Sequence, residues 1–543
     1  MRRERFDVSR VFKTHRLGKL PPLAAYVWWW VSDLDPRLWP ASCERWQTID
    51  GSESRLKELW SSMLRRTDLS SREIARVRQA CLFLRKWKDG VDEVALERAA
   101  IKQFVSIEED IKPLTESGLA LATRLNQIMR RWLSGLDLTD LPFQHGPGTV
   151  AELSDGRKLT TEEKFEHVGS DDLIRYTYPA DVLSANAFRR CSRLVCVPKT
   201  YSSLRTICAE PATLQFYQQG VMRRLYGYVA RHRFLRRHLP LHDQSVNALM
   251  ALRGSSAYAE SPYTVDSLCT IDLSAASDRL SWEVVKKVFN GTPLLRHLWA
   301  TRSRSVELPD GLEIVLKKFA PMGSALCFPI QSLVYAAVVE DATRSEFLPG
   351  AQVWSVFGDD IVVHALCFDK VCEALSSLGL VVNANKSFDL QTPFKESCGI
   401  DAWDGEDITP FYLRSLKRTP ENLLGLMDLA GRLSAKFPVA AGAIYTYVLD
   451  CLPPRVRSQI EIGPDAFHPF PYQLTAGKVK WHADYQRSVH PALSLTVRRD
   501  SVMKDEWAYI DWLLRARPDG RLKSPYSENY MQSRVRSVRV VWR

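Results

Sequence analysis

No C-x-x-C pair occurs among the eleven cysteines of this 543-residue chain, and the closest pairs are Cys191 with Cys196 and Cys367 with Cys372. That spacing gives no indication of zinc. An odd number of scattered thiols in a long chain fits reduced cysteines in a cytosol better than a disulfide framework. Long hydrophobic runs are missing too. The most apolar stretches, 22–31 and 437–449, fall short of the roughly 18 residues a membrane helix needs. The basic residues 1–10 are not followed by a signal-peptide core, so a soluble, cytoplasmic protein with no membrane partner is expected. Neither G-x-x-x-x-G-K-[ST] nor H-E-x-x-H occurs, which leaves ATPase and zinc-protease chemistry unsupported. Internal repeats and long low-complexity tracts are also absent.

What is present is a globular balance, 45% hydrophobic and 25% charged, with a formal net charge of +11 and a pI near 9.1. The length suits about three or four packing units. The positive excess favours a polyanionic partner, though only modestly.

Residues 1–184 carry mainly helical patterning. Ser70 and Glu73 form a capping-box signature ahead of the apolar series Ile74, Val77, Ala80, Leu82 and Leu84. Arg65, Arg66, Arg72, Arg76, Arg78, Arg85, Lys86 and Lys88 crowd the same stretch, and a solvated helix face is the preferred account of them over an RNA track. Trp28, Trp29 and Trp30 cannot share one helix face, so packing at a domain contact is expected. A turn at 145–148 separates this region from the next. From 185 to 241 the chain is strongly basic, with a strand over 193–198, the segment Arg205 to Cys208 and a helix over 213–229. Its cations flank apolar strand residues, which favours nucleic-acid or triphosphate binding. Between 268 and 390 strands (269–273, 312–316, 380–382) alternate with helices (283–289, 323–340, 370–378), an α+β pattern. Further on, 421–433 and 505–514 read as helices and 534–543 as a strand with interleaved Arg.

The organising stretch is 353–363, where Gly358-Asp359-Asp360 lies between two β-branched runs. It predicts a hairpin with the acids in its tight turn. An ordinary acidic turn and a shared-cation site both satisfy that pattern; hard oxygen ligands suit Mg²⁺. Upstream, Asp272 ends an apolar strand, and the small residues after it let Asp278 turn toward the same pocket. Asp272 together with the hairpin pair Asp359 and Asp360 makes three convergent carboxylates, the ligand set expected for two Mg²⁺ ions roughly 3.5 to 4 Å apart in phosphoryl transfer. An N-cap role for Asp272 is the plainer alternative.

The order Asp272-x5-Asp278, Met322-Gly323-Ser324, Gly358-Asp359-Asp360, Lys386 resembles palm motifs A to D of RNA-dependent RNA polymerases. With Val197-Pro198-Lys199, Arg205, Cys208, Glu210-Pro211, Gln219-Gly220, Asp243-Gln244-Ser245 and Glu396-Ser397-Cys398-Gly399, the chain is similar to the replicase catalytic subunit of single-stranded RNA bacteriophages, the leviviruses. The likeness covers about 195–414. One departure concerns motif B: related polymerases place Thr and Asn four and eight residues after its glycine, where this chain has Cys327 and Gln331.

That resemblance implies a right-hand polymerase. The N-terminal region and outer fingers would span 1–184, the fingers 185–260, a palm of antiparallel sheet on helices 261–400 and the thumb 401–543. Asp272 and Asp359 would hold two Mg²⁺ ions, for which Mn²⁺ could substitute, with Asp360 auxiliary. Lys199 and Arg205 would grip the incoming triphosphate, with Glu210 orienting Arg205. Asp278 would accept the ribose 2′-hydroxyl. Gly323 and Ser324 would admit the template or nucleotide backbone, and Lys386 would protonate the leaving pyrophosphate, although a plain surface lysine is the commoner fate. Implied partners are RNA template and product, ribonucleoside triphosphates, host elongation factors Tu and Ts and a small-subunit ribosomal protein, in the cytoplasm of an infected bacterium. Two other readings share these features: a reverse transcriptase, from which Asp278 discriminates, and an inactive polymerase fold that binds RNA.

Overall fold

The computed structural model describes residues 69–152, 190–257, 264–347 and 352–452 continuously, with isolated positions elsewhere and strands at 480–482, 487–489, 491–499 and 533–542. Trp28 to Trp30 and the helix expected at 505–514 lie outside the described residues.

Three helices come first: α1 (Ser71–Leu82), α2 (Glu93–Asp110) and α3 (Glu116–Trp132). The α1 capping box forms as its sequence predicts: Glu73 N donates to Ser70 Oγ and Ser70 N to the Glu73 carboxylate. In α3, Leu121, Leu125, Ile128 and Trp132 share a buried face at helical spacing. Strands β1 (Cys191–Thr200) and β2 (Ser203–Ala209) pair as an antiparallel hairpin, and β1 runs on through Pro198, where a strand end is predicted. Helices α4 (Ala212–Arg231) and α5 (Ser245–Ser256) follow.

At the centre lies a three-stranded antiparallel sheet, in the order β3 (Leu268–Ile271), β7 (Asp360–His364), β6 (Trp354–Phe357). Between β3 and β6 come α6 (Ala276–Arg279), α7 (Trp282–Val288), α8 (Leu294–Thr301), β4 (Ser305–Glu307), β5 (Glu313–Val315) and α9 (Cys327–Thr343). Strands β4 and β5 extend the first hairpin into a four-stranded sheet in which β1 and β4 are parallel. Helix α9 is apolar all round and buried on nearly every side, with each Val, Leu or Ile worth about 1.5–3 kcal/mol of burial. It starts at Cys327 rather than at the predicted Gly323, because 323–326 turn before the helix. Helix α10 (Phe368–Ser377), the sheet β8 (Phe394–Ser397), β9 (Ile400–Trp403), β10 (Glu406–Asp407), and helices α11 (Pro420–Ser434) and α12 (Pro438–Cys451) complete the main body. Beyond it are two antiparallel pairs, β11 (Lys480–His482) with β12 (Arg487–Val489) and β13 (Pro491–Arg499) with β14 (Ser533–Trp542), the last matching the predicted terminal strand.

Two hydrophobic cores join elements far apart in the chain. One hydrophobic core joins α3 to α4, α7, α9 and the β6–β7 hairpin; a second joins α1 to β8, β9, α11 and α12. No helix among the described residues is long and apolar enough to cross a membrane.

Candidate active site

The hairpin tip is tighter than the sequence suggests. Phe357 pairs with Asp360, so only Gly358 and Asp359 form the turn and Asp360 already belongs to β7. Gly358 has φ +66°, and a Cβ there would lie 2.7 Å from the Phe328 ring of α9. Its amide donates to Ser332 Oγ of the same helix at 3.0 Å. Glycine is therefore required both by backbone conformation and by the helix beneath. Asp360 Oδ1 accepts from Cys398 N at 3.1 Å and from Ser397 Oγ at 3.4 Å, which fixes it to the β8–β9 turn.

Asp272 directly follows β3. The expected strand at 380–382 is instead a loop crossing β3 through two isolated bridges, Leu273 with Val382 and Thr270 with Phe388. That loop clamps the aspartate. Asn383 Nδ2 donates to Asp272 Oδ2 at 2.9 Å, and Asp272 N donates to Ser387 Oγ at 3.1 Å.

Burial raises the Asp272 carboxyl above its ordinary value, with Asp359 and Glu396 adding to the rise and Lys386 and Asn383 opposing it. Burial, with Asp359, Asp272 and Glu396, pushes Asp360 up to about 6 against the Cys398 amide. Three carboxylates thus share one field without enough positive charge between them. Such a group takes up protons or a cation. Among the described residues no cluster of three or more His, Cys, Asp or Glu encloses a metal by itself. Mg²⁺ fits this partial set, since it is commonly held by one or two carboxylates, water and substrate phosphates rather than by an all-protein cage.

Lys386 Nζ donates to Glu396 Oε1 at 3.0 Å. Burial would depress its ammonium, but Glu396 and Asp272 more than offset this and hold it above the ordinary lysine value. Asp278, on α6, pairs with Lys318 Nζ at 2.9 Å.

The structure shows the surroundings of Gly323 and Ser324, and it gives Glu210 a partner other than the expected Arg205. Gly323 has φ +119°, and a Cβ there would sit 2.1 Å from the carbonyl oxygen of Cys208; Cys208 N in turn donates to Met322 O at 2.7 Å. The close backbone approach this glycine permits is to β2 of its own chain. Ser324 is buried, and its Oγ accepts from Leu326 N at 3.4 Å ahead of α9. Glu210, expected to pair with Arg205, is buried and accepts from Ser303 Oγ, with Arg302 as its nearby cation. Arg205 is exposed on β2.

Burial pushes the Glu210 carboxyl up to about 7, well above its unfolded value of 4.5. A raised folded-state value stabilises the fold fully below the unfolded value, and that contribution is lost as pH rises through the folded one. Between pH 4.5 and 7 the protein should lose up to about 3 kcal/mol from this group, at 1.36 kcal/mol per unit. Glu210→Gln should flatten the dependence, so that urea midpoints at pH 5 and pH 8 converge. An unchanged pH slope in the variant would contradict this.

Sequence reasoning missed a cationic pocket. Lys86, Lys88, Lys199 and Arg414 line a cavity of about 170 Å³ beside Trp87, Pro198 and Thr200. Its walls come from three chain segments stitched by Lys88 N to Arg414 O at 2.9 Å and Tyr201 N to Arg85 O at 3.0 Å. Burial, then the charges of Arg205, Lys386 and Arg85, depress the Lys199 ammonium. Lys86 is depressed in the same way by burial, Arg414 and Arg85. The basic run at 65–88 is thus not wholly a solvated face. Arg78 is buried against Asp401 at 2.7 Å, and Lys86 and Lys88 face Lys199.

The family described as RNA replicase, beta-chain, matches residues 169–520. The RNA-directed RNA polymerase subunit beta of Enterobacteria phage SP is 30% identical over 78% of this chain and 75% of its own length. The corresponding chain of Escherichia phage MS2 is 35% identical over 44% of this chain and 40% of its own, and that of Qbeta virus (strain MX1) is 32% identical over 44% and 38%. Against the latter two the alignment spans less than half of the relative's length. A solved RNA-dependent RNA polymerase of a human picorbirnavirus, an insertion-loop deletion mutant, superposes with a TM-score of 0.42 and 11% identity over 77% of this chain and 87% of its own. By the span of the family match and its likeness to the phage SP subunit, this chain belongs to the RNA replicase beta-chain family.

Proposed function

We propose that the chain is an RNA-directed RNA polymerase that copies an RNA template from ribonucleoside triphosphates. The observation that carries the reading is the strand pairing of β3 with β7, which brings Asp272, directly after β3, beside the Asp359–Asp360 tip of the β6–β7 hairpin. In a right-hand arrangement, residues 261–400 would be the palm, 185–260 the fingers, 401–543 the thumb and 1–184 the outer fingers. When bound, two Mg²⁺ ions supply charge stabilisation to the attacking and leaving oxygens of nucleotidyl transfer.

The chain's own groups do the rest. Asp272 and Asp359 present carboxylate oxygens as ligands, and Asp360, held by Cys398, supports them from behind. Lys199 and Arg205 bind triphosphate oxygens, Arg205 through a two-pronged guanidinium contact. Lys386 keeps its proton because Glu396 sits against it, and so is poised to donate to a departing pyrophosphate. Asp278 receives the ribose hydroxyl. The partners would be those of a phage replicase, including host elongation factors Tu and Ts and a small-subunit ribosomal protein, in the bacterial cytoplasm.

The test is primer-free incorporation of labelled ribonucleotides by full-length protein, with and without host extract. Template-dependent product supports the reading; RNA binding without product across templates and divalent metals would replace it with an inactive RNA-binding subunit. Preference for deoxyribonucleotides would favour a reverse transcriptase.

The cationic pocket extends the triphosphate grip. Lys88→Gln with Arg414→Gln should raise the nucleotide KM about tenfold, the equivalent of 1.4 kcal/mol, with kcat changed less. Steady-state kinetics would show it, and an unchanged KM would remove these residues from the nucleotide path.

A further inference from the structure

Lys318 is a fully buried lysine that none of the motifs explains. Its side chain has 0% exposure, yet its Nζ lies 2.9 Å from Asp278 Oδ1 and 3.1 Å from Glu108 Oε2. The contact to Glu108 Oε2 is off the hydrogen-bond direction, so it is an ionic pairing. The ammonium also sits 3.6 Å from the centre of the Phe104 ring, and both Phe104 and Glu108 belong to α2. The other Glu108 oxygen, Oε1, accepts the backbone amides of Lys317 and Lys318, the second at 3.1 Å. Helix α2 therefore fixes Lys318 by main chain and side chain together. Burying a charge this deeply is unfavourable unless every donor is satisfied, so the lysine has little freedom to choose another geometry.

The same segment is laced to the chain around Asp278. Trp282 N donates to Lys317 O at 2.8 Å and Phe319 N to Leu280 O at 2.7 Å. Asp278 and Asp359 lie near one another: burial and then the carboxylates of both push up the Cys327 thiol at the start of α9. Asp278 is thus held at one oxygen, Oδ1, by a rigid cation.

We propose that Lys318 is a positioning residue for sugar selection. By anchoring Asp278 Oδ1 it aims Oδ2 at the 2′-hydroxyl of the incoming nucleotide, and α2, through Glu108 and Phe104, sets the aim. This rests on the polymerase reading above. A carboxylate free to rotate would still attract a hydroxyl, but it would also accommodate its absence by turning to water. A clamped one leaves an unpaired acceptor when the 2′-hydroxyl is missing, and discrimination depends on that penalty.

The experiment measures the ratio of kcat/KM for a ribonucleotide and its 2′-deoxy analogue in full-length protein carrying Lys318→Met, Glu108→Gln or Asp278→Ala, with thermal unfolding recorded for each. The expected result is a fall in that ratio of about tenfold or more in all three, with ribonucleotide kcat less affected in Glu108→Gln. Glu108→Gln keeps the shape of α2 and carries the test if Lys318→Met does not fold. Equal losses on both sugars, with the ratio unchanged in Lys318→Met and Glu108→Gln but lowered in Asp278→Ala, would overturn the role of Lys318 alone. An unchanged ratio in Asp278→Ala would instead overturn the sugar reading on which it rests.

Discussion

Asp359→Asn should reduce nucleotide incorporation by at least about a thousandfold, because a metal-held phosphoryl transfer draws several kcal/mol from its ligands and each 1.36 kcal/mol is tenfold in rate. The substitution keeps size and polarity and removes one charge. It leaves the hairpin standing: Phe357 pairs with Asp360 through backbone, and Gly358 N is held by Ser332. Asp272→Asn should be comparably severe. Asp360→Asn should be milder, since an amide oxygen can still accept from Cys398 N. The order of severity distinguishes a ligand pair with a supporting third acid from three equal ligands. Primer-free incorporation measures it, with thermal unfolding to show that each variant is folded; undiminished synthesis by Asp359→Asn would sink the assignment.

That asymmetry between Asp359 and Asp360 was only partly legible in the sequence. The β-branched flanks predict the hairpin, and period-two alternation sets neighbouring residues on opposite faces, but register decides which acid is in the turn. The structure pairs Phe357 with Asp360, and so Asp359 alone occupies the tip. Asp272 was legible because it closes an apolar strand. Its clamp was not, since Asn383 and Ser387 act from a loop with little periodic signal. Glycine gave an incomplete message in the same way. Gly323 announces a close approach without saying to what, and the partner proves to be the Cys208 carbonyl. The charges were least legible of all. A run of Arg and Lys reads as a solvated face because local sequence cannot show a partner more than 300 residues away, yet Arg78 reaches Asp401 across 323 residues.

That long-range pair carries the second large effect, on stability. Arg78 Nε lies 2.7 Å from Asp401 Oδ2 and its Nη2 3.5 Å from Glu396 Oε2. The guanidinium also stands 4.4 Å from the Trp60 ring and 5.0 Å from that of Phe394. Burial, with Glu396, raises the Asp401 carboxyl against Arg78 and, less strongly, Lys386, so Arg78 is its main counter-charge. Arg78→Met should therefore destabilise the protein by about 3–5 kcal/mol, the usual result of leaving one member of a buried ion pair alone. Adding Asp401→Asn should restore a large part of that loss, because the penalty lies in the stranded charge rather than in the missing bond. A denaturant midpoint for wild type, single and double variants tests the argument; a double variant no more stable than Arg78→Met would show that packing against Trp60 and Phe394 dominates. The consequence extends to chemistry. Glu396 is shared between Arg78 and Lys386, so helix α1 reaches, through two ion pairs, the lysine proposed to protonate pyrophosphate. Arg78→Met should consequently slow incorporation under conditions where the variant remains folded, by freeing Glu396 to shift with Lys386, whereas a change confined to the second core would leave the rate untouched.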